Sequence, residues 1–260
     1  MHDMLAYFAE NPIHRRFHHG KLTFVMYYAF SERFLLPLSH DEVVHLKKAL
    51  VSKMPGDQWQ RFANLRALYA TQWLQPGKKL LFMGGEIAQW GEWNHATQLD
   101  WWLLEDPAEG HYHRGIQSLV RDLNLLYASR GALHQQDLEW PGFEWIDFKD
   151  AAASVLAWRR IGRDPADFVV VVANYTPIVR PGYRIGVPDC SAVAYREVLN
   201  TDARGYGGGD VRNASAVPVD PVPAHGQERS IVLTLPPLAV VVLEPVPAAS
   251  AARAPQKKRR

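Results

Sequence analysis

The chain has 260 residues, of which 47% are hydrophobic, and its formal net charge is +2. This length and composition allow one large core or two modest ones. Five of the 29 basic residues lie in segment 253–260, so the remainder carries 24 basic against 27 acidic residues. The body of the chain therefore shows no basic bias towards nucleic acid.

Cysteine usage and hydropathy indicate the compartment. Cys190 is the single cysteine, which excludes an internal disulfide and is compatible with a reducing cytosol. Residues 1–10 lack the charged start and apolar core of a signal peptide, and no run approaches the ~18 apolar residues of a membrane span. We therefore expect a soluble cytoplasmic protein without a membrane partner.

The first 33 residues predict helix and loop. Residues 4–8 form a weak helical face that ends before the Asn-Pro pair at 11–12. The arginines and histidines of segment 14–19 are interpreted as a solvated loop rather than a phosphate or metal site. Segment 23–34 is apolar, and Thr23 is a suitable N-cap, so a buried helix is predicted there.

A short apolar run follows in segment 34–38 and predicts a strand buried on both faces, as in parallel sheets. Pro37 removes a ladder bond, so pairing is expected to end near it. Segment 39–42, Ser-His-Asp-Glu, comes directly after this strand. Barrel enzymes hold their chemistry at the carboxyl ends of such strands. A helix-capping loop would contain the same residue types.

Strand and helix then alternate. Asp57 is interpreted as the N-cap of a helix that presents one apolar face and ends at the Gln-Pro-Gly of 75–77. Leu80–Met83 predicts a second strand, and an apolar stripe predicts a second helix at 115–129. The predicted face of the first helix consists of Phe62, Leu65, Leu68, Tyr69 and Trp73.

The lengths of the connections favour a (β/α)8 barrel. The connections after the two strands, 39–57 and 84–114, are long, whereas those leading into the strands are short. Barrels show this asymmetry because their functional loops lie at one end. A complete barrel takes about 250 residues and eight strand-helix pairs. With two clear pairs, residues 1–130 are predicted to be part of a barrel.

The second half predicts an antiparallel β-sandwich, because short strands alternate with turn residues. We assign this sandwich to residues 131–247 and a disordered basic tail to residues 248–260. The predicted strands are Phe143–Phe148, Ser154–Ile161, Phe168–Tyr175, Tyr183–Val187, Tyr195–Leu199, Ile231–Leu235 and Ala239–Leu243.

Several motifs resemble those of glycoside hydrolase family 13, the α-amylase clan. The stretch from Phe34 to Val44 is similar to the motif of the seventh barrel strand, and the form His-Asp-Glu-Val-Val-His at 40–45 looks like that of the α-glucan branching enzymes. The resemblance covers nearly all of residues 1–245. Further matching stretches are Lys53–Asp57, Trp59–Phe62, Phe62–Arg66, Pro76–Met83, Glu92–Asn94 and Gly142–Trp145.

This resemblance implies that the chain holds the last two βα units of the catalytic TIM barrel and the β-sandwich that follows. It implies that Asp41 stabilises the transition state and that His40 binds the same sugar. The family's nucleophile and general acid lie in motifs that this chain does not contain. The isolated chain is therefore expected to be inactive, and the missing N-terminal part of the barrel is a possible partner. The implied substrate is an α-1,4-glucan such as glycogen or amylose, with no metal or organic cofactor.

Other residues are further candidates for the site. Asp41 and Glu42 are rejected as a catalytic pair, because neighbours on an extended segment point to opposite faces. Glu86 is interpreted as bracing a loop or lining the acceptor side. Leu46 stands where branching enzymes usually carry glycine. Because leucine cannot adopt a positive φ cheaply, the loop is expected to run differently if that glycine supplies a turn. One or two of Trp90, Trp93, Trp101 and Trp102 are candidates for stacking on glucose, and His40, His45, His111 and His113 lack the spacing of a zinc site.

Two other functions stay open. One is a non-catalytic protein that binds α-glucan. The other is a hydrolase of the same clan, of the trehalohydrolase type, against which Glu42 argues because those relatives carry glutamine there.

Overall fold

The computed structural model describes residues 1–188 and 190–248, so the predicted tail lies outside them except for residue 248. Helices and two short strands form the first half. Among the described residues, no helix is both long and apolar enough to cross a membrane. The elements are α1 (His2–Ala9), α2 (Gly20–Thr23), β1 (Leu35–Leu38), α3 (Leu50–Lys53), α4 (Gln58–Leu74), β2 (Lys78–Leu81) and α5 (Gly110–Ser129).

Helix α4 begins at the predicted cap. Asp57 Oδ1 accepts a hydrogen bond from the Gln60 amide at 2.8 Å, and the Asp57 amide donates to Gln60 Oε1 at 3.3 Å. This capping box satisfies two amides that the first helical turn would leave unpaired. At the other end Gly77 has φ +107°, a conformation that favours glycine. The predicted start and end of α4 are confirmed.

The prediction that α4 buries one face is wrong. Every residue from Phe62 to Leu74 is buried, including Arg66 and Gln72. The Gln72 side chain satisfies its donor by bonding the carbonyls of Leu36 at 2.8 Å and Leu80 at 3.1 Å. Helix α4 is thus covered by β1 and β2 on one side, and by other helices and the second half of the chain on the other sides.

Strands β1 and β2 pair in parallel, with Leu35 opposite Lys78 and Leu38 opposite Leu81. Pro37 lies opposite Leu80, and the strand pairing ends one residue later at Leu38, so the expected end of pairing near Pro37 is confirmed. The two-face burial predicted for β1 is wrong, because Leu36 and Leu38 are buried while Leu35 is 47% exposed. In the described residues β1 pairs with β2 alone, so Pro37 lies on an edge strand, where proline is tolerated.

The long buried helix predicted for segment 23–34 is not formed. Helix α2 ends at Thr23, and a 3-10 turn covers Phe24–Tyr27. Phe24 is 55% exposed and Tyr27 is 81% exposed. Their rings pack against each other, with centroids 5.7 Å apart, instead of entering the core. An apolar run becomes a buried helix only where another element covers it.

The polar segment 14–19 is not simply a solvated loop, because Arg15 is fully buried. Its guanidinium donates to the carbonyl of Phe8 at 2.9 Å and to that of Tyr175 at 2.8 Å. Burial lowers the pKa of Arg15 to about 10. Arg15 therefore ties helix α1 to the second half of the chain.

The second half consists of antiparallel sheets, as predicted. A six-stranded sheet has the order β3-β4-β5-β10-β7-β8, and β6 and β9 form a separate two-stranded sheet. The two-residue strand β8 was not predicted. The strands are β3 (Phe143–Asp147), β4 (Val155–Ile161), β5 (Phe168–Asn174), β6 (Arg180–Val187), β7 (Ala192–Asn200), β8 (Val217–Pro218), β9 (Arg229–Leu235) and β10 (Ala239–Pro247).

The large sheet buries both faces. Val155, Val170 and Val241 point to one face and share a core with Ile185 and Ile231 of the β6–β9 sheet. The alternate residues of the same strands point to the other face and share a second core with α4 and α5. This second core includes Leu156, Trp158, Val171, Val240 and Val242 from the sheet, and Phe62, Leu65, Leu68, Ile116 and Leu119 from the helices.

The architecture is therefore an α/β part followed by an all-β part, with one apolar core common to both. A hydrogen bond from Trp158 Nε1 to the Leu74 carbonyl, 3.1 Å long, also joins the two parts. The division of the chain into domains at 1–130 and 131–247 stays a prediction.

Candidate functional site

The parallel pairing of β1 and β2 brings their carboxyl ends to the same edge. The Phe82 amide donates to the Leu38 carbonyl at 2.9 Å and closes the ladder there. A 3-10 turn follows each strand, His40–Glu42 after β1 and Gly85–Ile87 after β2. The polar residues predicted from the sequence thus lie at one end of this small sheet, beside the long connections.

His40 and Asp41 are accessible at this end. The side chain of His40 is 56% exposed and that of Asp41 is 69% exposed. His40 Nε2 lies 3.3 Å from Asp41 Oδ1, and the Ser39 hydroxyl donates to Asp41 Oδ2 at 3.3 Å. The ring of His40 lies beside that of Phe82, with centroids 5.8 Å apart. Both side chains are therefore free to meet a ligand from solvent.

Glu42 has different surroundings from its neighbour Asp41. Its side chain is only 13% exposed and pairs with Lys53 Nζ at 3.4 Å and His2 Nδ1 at 3.3 Å. The backbone between the two acids is a 3-10 turn rather than the extended segment expected. Because Glu42 is largely buried and paired with Lys53 whereas Asp41 is exposed, the two do not form a pair of cooperating carboxylates.

Aromatic side chains stand next to this edge. The rings of Phe82 and Trp93 meet edge to face with centroids 5.2 Å apart, and the Trp93 amide donates to the Val43 carbonyl at 2.9 Å. Trp101 and Trp102 are about half exposed and available for stacking. Trp90 has a packing role instead, because it donates to Glu109 at 3.0 Å and packs its ring against Phe62.

The cavity enclosed by these residues is small. Its volume is about 20 Å³, and its lining includes Val43, Tyr69, Phe82, Met83 and Trp93. Such a space holds about one water molecule and no sugar ring.

The turn after β2 is held by a hydrogen bond from helix α4. The Tyr69 hydroxyl donates to the Gly85 carbonyl at 2.8 Å. Burial, with a smaller contribution from the charge of Glu86, raises the pKa of Tyr69, so this phenol stays protonated and remains a donor. The bracing predicted for Glu86 is thus supplied by Tyr69, and the role of Glu86 stays a prediction.

The loop of residues 45–48, called loop 45–48 below, differs from expectation. Leu46 has φ +67°, His45 +56° and Lys48 +68°. The prediction that Leu46 would avoid a positive φ is wrong. The Glu92 carboxylate accepts the amide of Leu46 at 3.1 Å and that of Lys48 at 2.6 Å. Sequence reasoning missed this contact because Glu92 is 46 residues away from Leu46 in the chain.

In the part of the chain that the structure describes, no three histidine, cysteine or acidic side chains are grouped so that they could hold a metal ion. His113 is buried and bonds the Ile87 carbonyl through Nδ1 at 2.8 Å. Burial lowers its pKa, so the ring is neutral at pH 7 and can donate this bond. His113 is a core residue rather than a ligand.

Sequence comparison relates this chain to known proteins. Residues 145–246 match the family model described as the alpha amylase C-terminal all-beta domain. The chain is 56% identical over 244 residues to the 1,4-alpha-glucan branching enzyme GlgB of Paramagnetospirillum magneticum, covering 94% of this chain and 32% of that protein. It is 56% identical over 247 residues to the GlgB of Rubrobacter xylanophilus, covering 95% and 33%. The chain thus spans about a third of the length of the curated relatives that it matches.

Solved structures of more distant proteins share the fold. A pullulanase from Anoxybacillus, determined in complex with maltotetraose, superimposes with a TM-score of 0.55 at 14% identity, covering 92% of this chain and 32% of that one. A debranching enzyme from Nostoc punctiforme superimposes with a TM-score of 0.53, also at 14% identity, covering 81% and 34%. At such low identity these two likenesses concern the fold alone.

Proposed function

We infer that this chain belongs to the 1,4-α-glucan branching enzymes and that it contributes the His40–Asp41 end of their active site. One observation carries the proposal. Within a match of 56% identity over 94% of the chain, His40 and Asp41 lie exposed at the carboxyl end of a parallel strand. The whole enzyme would cut an α-1,4-glucan and rejoin the piece through an α-1,6 bond.

Asp41 would act on the sugar without forming a bond to it. Retaining transfer uses two carboxylates about 5–5.5 Å apart, one as nucleophile and one as acid. Glu42 cannot serve as a partner of this kind, because it is paired with Lys53. Asp41 would instead accept hydrogen bonds from ring hydroxyls and strengthen them as positive charge develops on the ring. A contact that improves in the transition state accelerates the reaction.

His40 would hold the same sugar by a hydrogen bond. Its Nε2 lies within 3.3 Å of Asp41 and its ring lies against Phe82, so its position is limited from two sides. The nucleophile and the general acid would come from the two thirds of the relatives' length that this chain does not span.

The short parallel sheet supports a barrel origin for residues 1–130. Within the described residues one edge of β1 is unpaired, and long connections follow both strands. Strands β1 and β2 would be the seventh and eighth strands of a (β/α)8 barrel whose other strands are supplied by the rest of the enzyme. The substrate would be an α-1,4-glucan such as amylose or glycogen, with no cofactor, and the compartment would be the cytoplasm.

A chimera tests the proposal. Replacing the matching 247-residue region of the Rubrobacter enzyme by this chain should give a protein that branches amylose, followed by loss of iodine colour and by chain lengths after debranching. The 260-residue chain alone should show no turnover. A folded chimera without branching activity would contradict the assignment. Turnover by the isolated chain that disappears in Asp41→Ala would contradict its expected inactivity and would require another carboxylate partner within this chain.

A further inference from the structure

We propose that Glu92 is a positioning residue that holds loop 45–48, and that it thereby places Leu46 where it contacts the glucan beside Asp41. The contact between Leu46 and the glucan rests on the proposed function. The pair of hydrogen bonds from loop 45–48 to Glu92, called the clamp below, does not. Leu46 would then determine how tightly the glucan is bound, without taking part in the transfer reaction.

Loop 45–48 has an unfavourable backbone. Three of its four residues, His45, Leu46 and Lys48, have φ between +56° and +68°, and none of them is glycine. In this conformation the Cβ atom crowds the backbone, so side chains other than glycine adopt it rarely. Such backbone persists only where surrounding contacts impose it, and it is found preferentially at functional sites.

The Glu92 carboxylate supplies the contacts that impose it. One oxygen accepts the Leu46 amide at 3.1 Å and the other accepts the Lys48 amide at 2.6 Å. Hydrogen bonds to an ionised carboxylate are about twice as strong as those between neutral groups. The next residue, Trp93, donates its amide to the Val43 carbonyl at 2.9 Å. The segment after β2 therefore holds loop 45–48 at Leu46 and Lys48, and it holds the chain just before the loop at Val43.

The clamp leaves the side chain of Leu46 almost completely in solvent. Leu46 is 94% exposed, and it lies five residues after Asp41 in the same connection. Glucose rings carry apolar C–H faces, and covering a leucine with such a face removes apolar surface from water. A single exposed leucine is common on protein surfaces. An exposed leucine whose strained backbone is held by a carboxylate, as Glu92 holds Leu46, is uncommon. This combination points to a role in contacting a ligand.

Amide hydrogen exchange on the 260-residue chain tests the clamp. In Glu92→Gln one acceptor oxygen becomes an amide donor and the charge is lost, so the amides of Leu46 and Lys48 should exchange at least tenfold faster. The matched control is Glu105→Gln, because Glu105 is an exposed glutamate in the same connection between β2 and α5. This substitution should leave both exchange rates unchanged. Equal protection in Glu92→Gln and the native chain would overturn the clamp.

Titration of the same chain with maltoheptaose tests the contact. Leu46→Gly fits the positive φ and should keep the folded loop, but it should raise the Kd about three- to tenfold, whereas Leu46→Met should bind as the native chain does. An unchanged Kd in Leu46→Gly would overturn the contact while leaving the proposed function intact. Absence of binding by the native chain would overturn the contact together with glucan binding by this chain, and the exchange result on Glu92 would be unaffected.

Discussion

Arg160 donates its Nη2 proton to Asp137 Oδ1 over 2.8 Å, and neither side chain has more than 1% of its surface exposed. The same Asp137 oxygen accepts the amide of Gly77 at 3.0 Å, and the other oxygen accepts the Tyr127 hydroxyl at 2.9 Å. One carboxylate therefore joins β4, the turn after α4 and the end of α5. A buried charge of this kind is stable only while its partners are in place.

Removing Asp137 should destabilise the protein strongly. In Asp137→Ala the buried guanidinium of Arg160 loses its counter-charge and keeps only bonds to the carbonyls of Gly142, Leu74 and Leu133. Loss of one partner of a buried pair costs about 3–5 kcal/mol. Urea unfolding followed by tryptophan fluorescence measures this change in the free energy of unfolding.

Asp220→Ala is the control, because Asp220 forms an ion pair with Arg184 of similar length, 2.9 Å. The side chains of both Asp220 and Arg184 are more than a third exposed. Such a pair contributes less than about 1 kcal/mol. Equal losses in the two variants would mean that burial does not govern the strength of the Asp137–Arg160 pair.

The same carboxylate should make stability depend on pH in acid. Burial alone would raise the pKa of Asp137, but the charges of Lys79 and Arg160 and the bonds from Tyr127 and Arg160 outweigh it and hold the pKa below its ordinary value of 3.8. The stabilisation is therefore complete above the unfolded pKa and is lost as pH falls through the folded pKa. The difference in unfolding free energy between the native protein and Asp137→Asn should be constant from pH 5 to 7 and should shrink below about pH 4. A difference that stays constant down to pH 2 would contradict the lowered pKa.

Asp41→Asn in the branching-active chimera should reduce kcat much more than it raises KM. If charge-assisted contacts in the transition state are worth about 3–5 kcal/mol, kcat should fall by a factor on the order of 10²–10⁴. His40→Ala should have a smaller effect, because a neutral hydrogen bond contributes less. Initial rates on amylose give both constants. A near-normal kcat in Asp41→Asn would indicate that the side chain is a structural part of the turn.

The cap of α4 should contribute measurably to stability. Asp57→Ala removes the acceptor for the Gln60 amide and should cost about 1 kcal/mol in the free energy of unfolding. Asp57→Asn keeps an acceptor oxygen and should cost only a few tenths of that, so the two variants separate loss of the bond from loss of the side chain. Thermal unfolding of both gives the comparison.

Local patterns in the sequence predicted much of the fold. The capping box at Asp57 and the run of valines in β5 are signals that neighbouring residues carry, and α4 and β5 were placed within a residue or two. What failed depended on distant partners. Periodicity could not show that Arg66 and Gln72 of α4 are buried, because the elements that cover them come from elsewhere in the chain. The exposure of Phe24 and Tyr27 was missed for the same reason.

The candidate site divides in the same way. In the sequence, polar residues and a long connection follow a predicted strand. This order predicted that His40 and Asp41 lie at a strand end, which is where the structure has them. Their roles stay predictions. The left-handed backbone of Leu46 could not be inferred from local residues, because the Glu92 carboxylate that satisfies its amide comes from the connection after the next strand.

The core common to the helices and the large sheet limits how the protein can be trimmed. A polypeptide of residues 131–247 alone would keep its strands but would expose Leu156, Trp158, Val171 and Val240, which α4 and α5 now cover. Contiguous exposed apolar surface of this kind promotes aggregation. Expression of the all-β part as a separate soluble module should therefore require polar replacements on that face, and fusion partners are better attached to the intact chain.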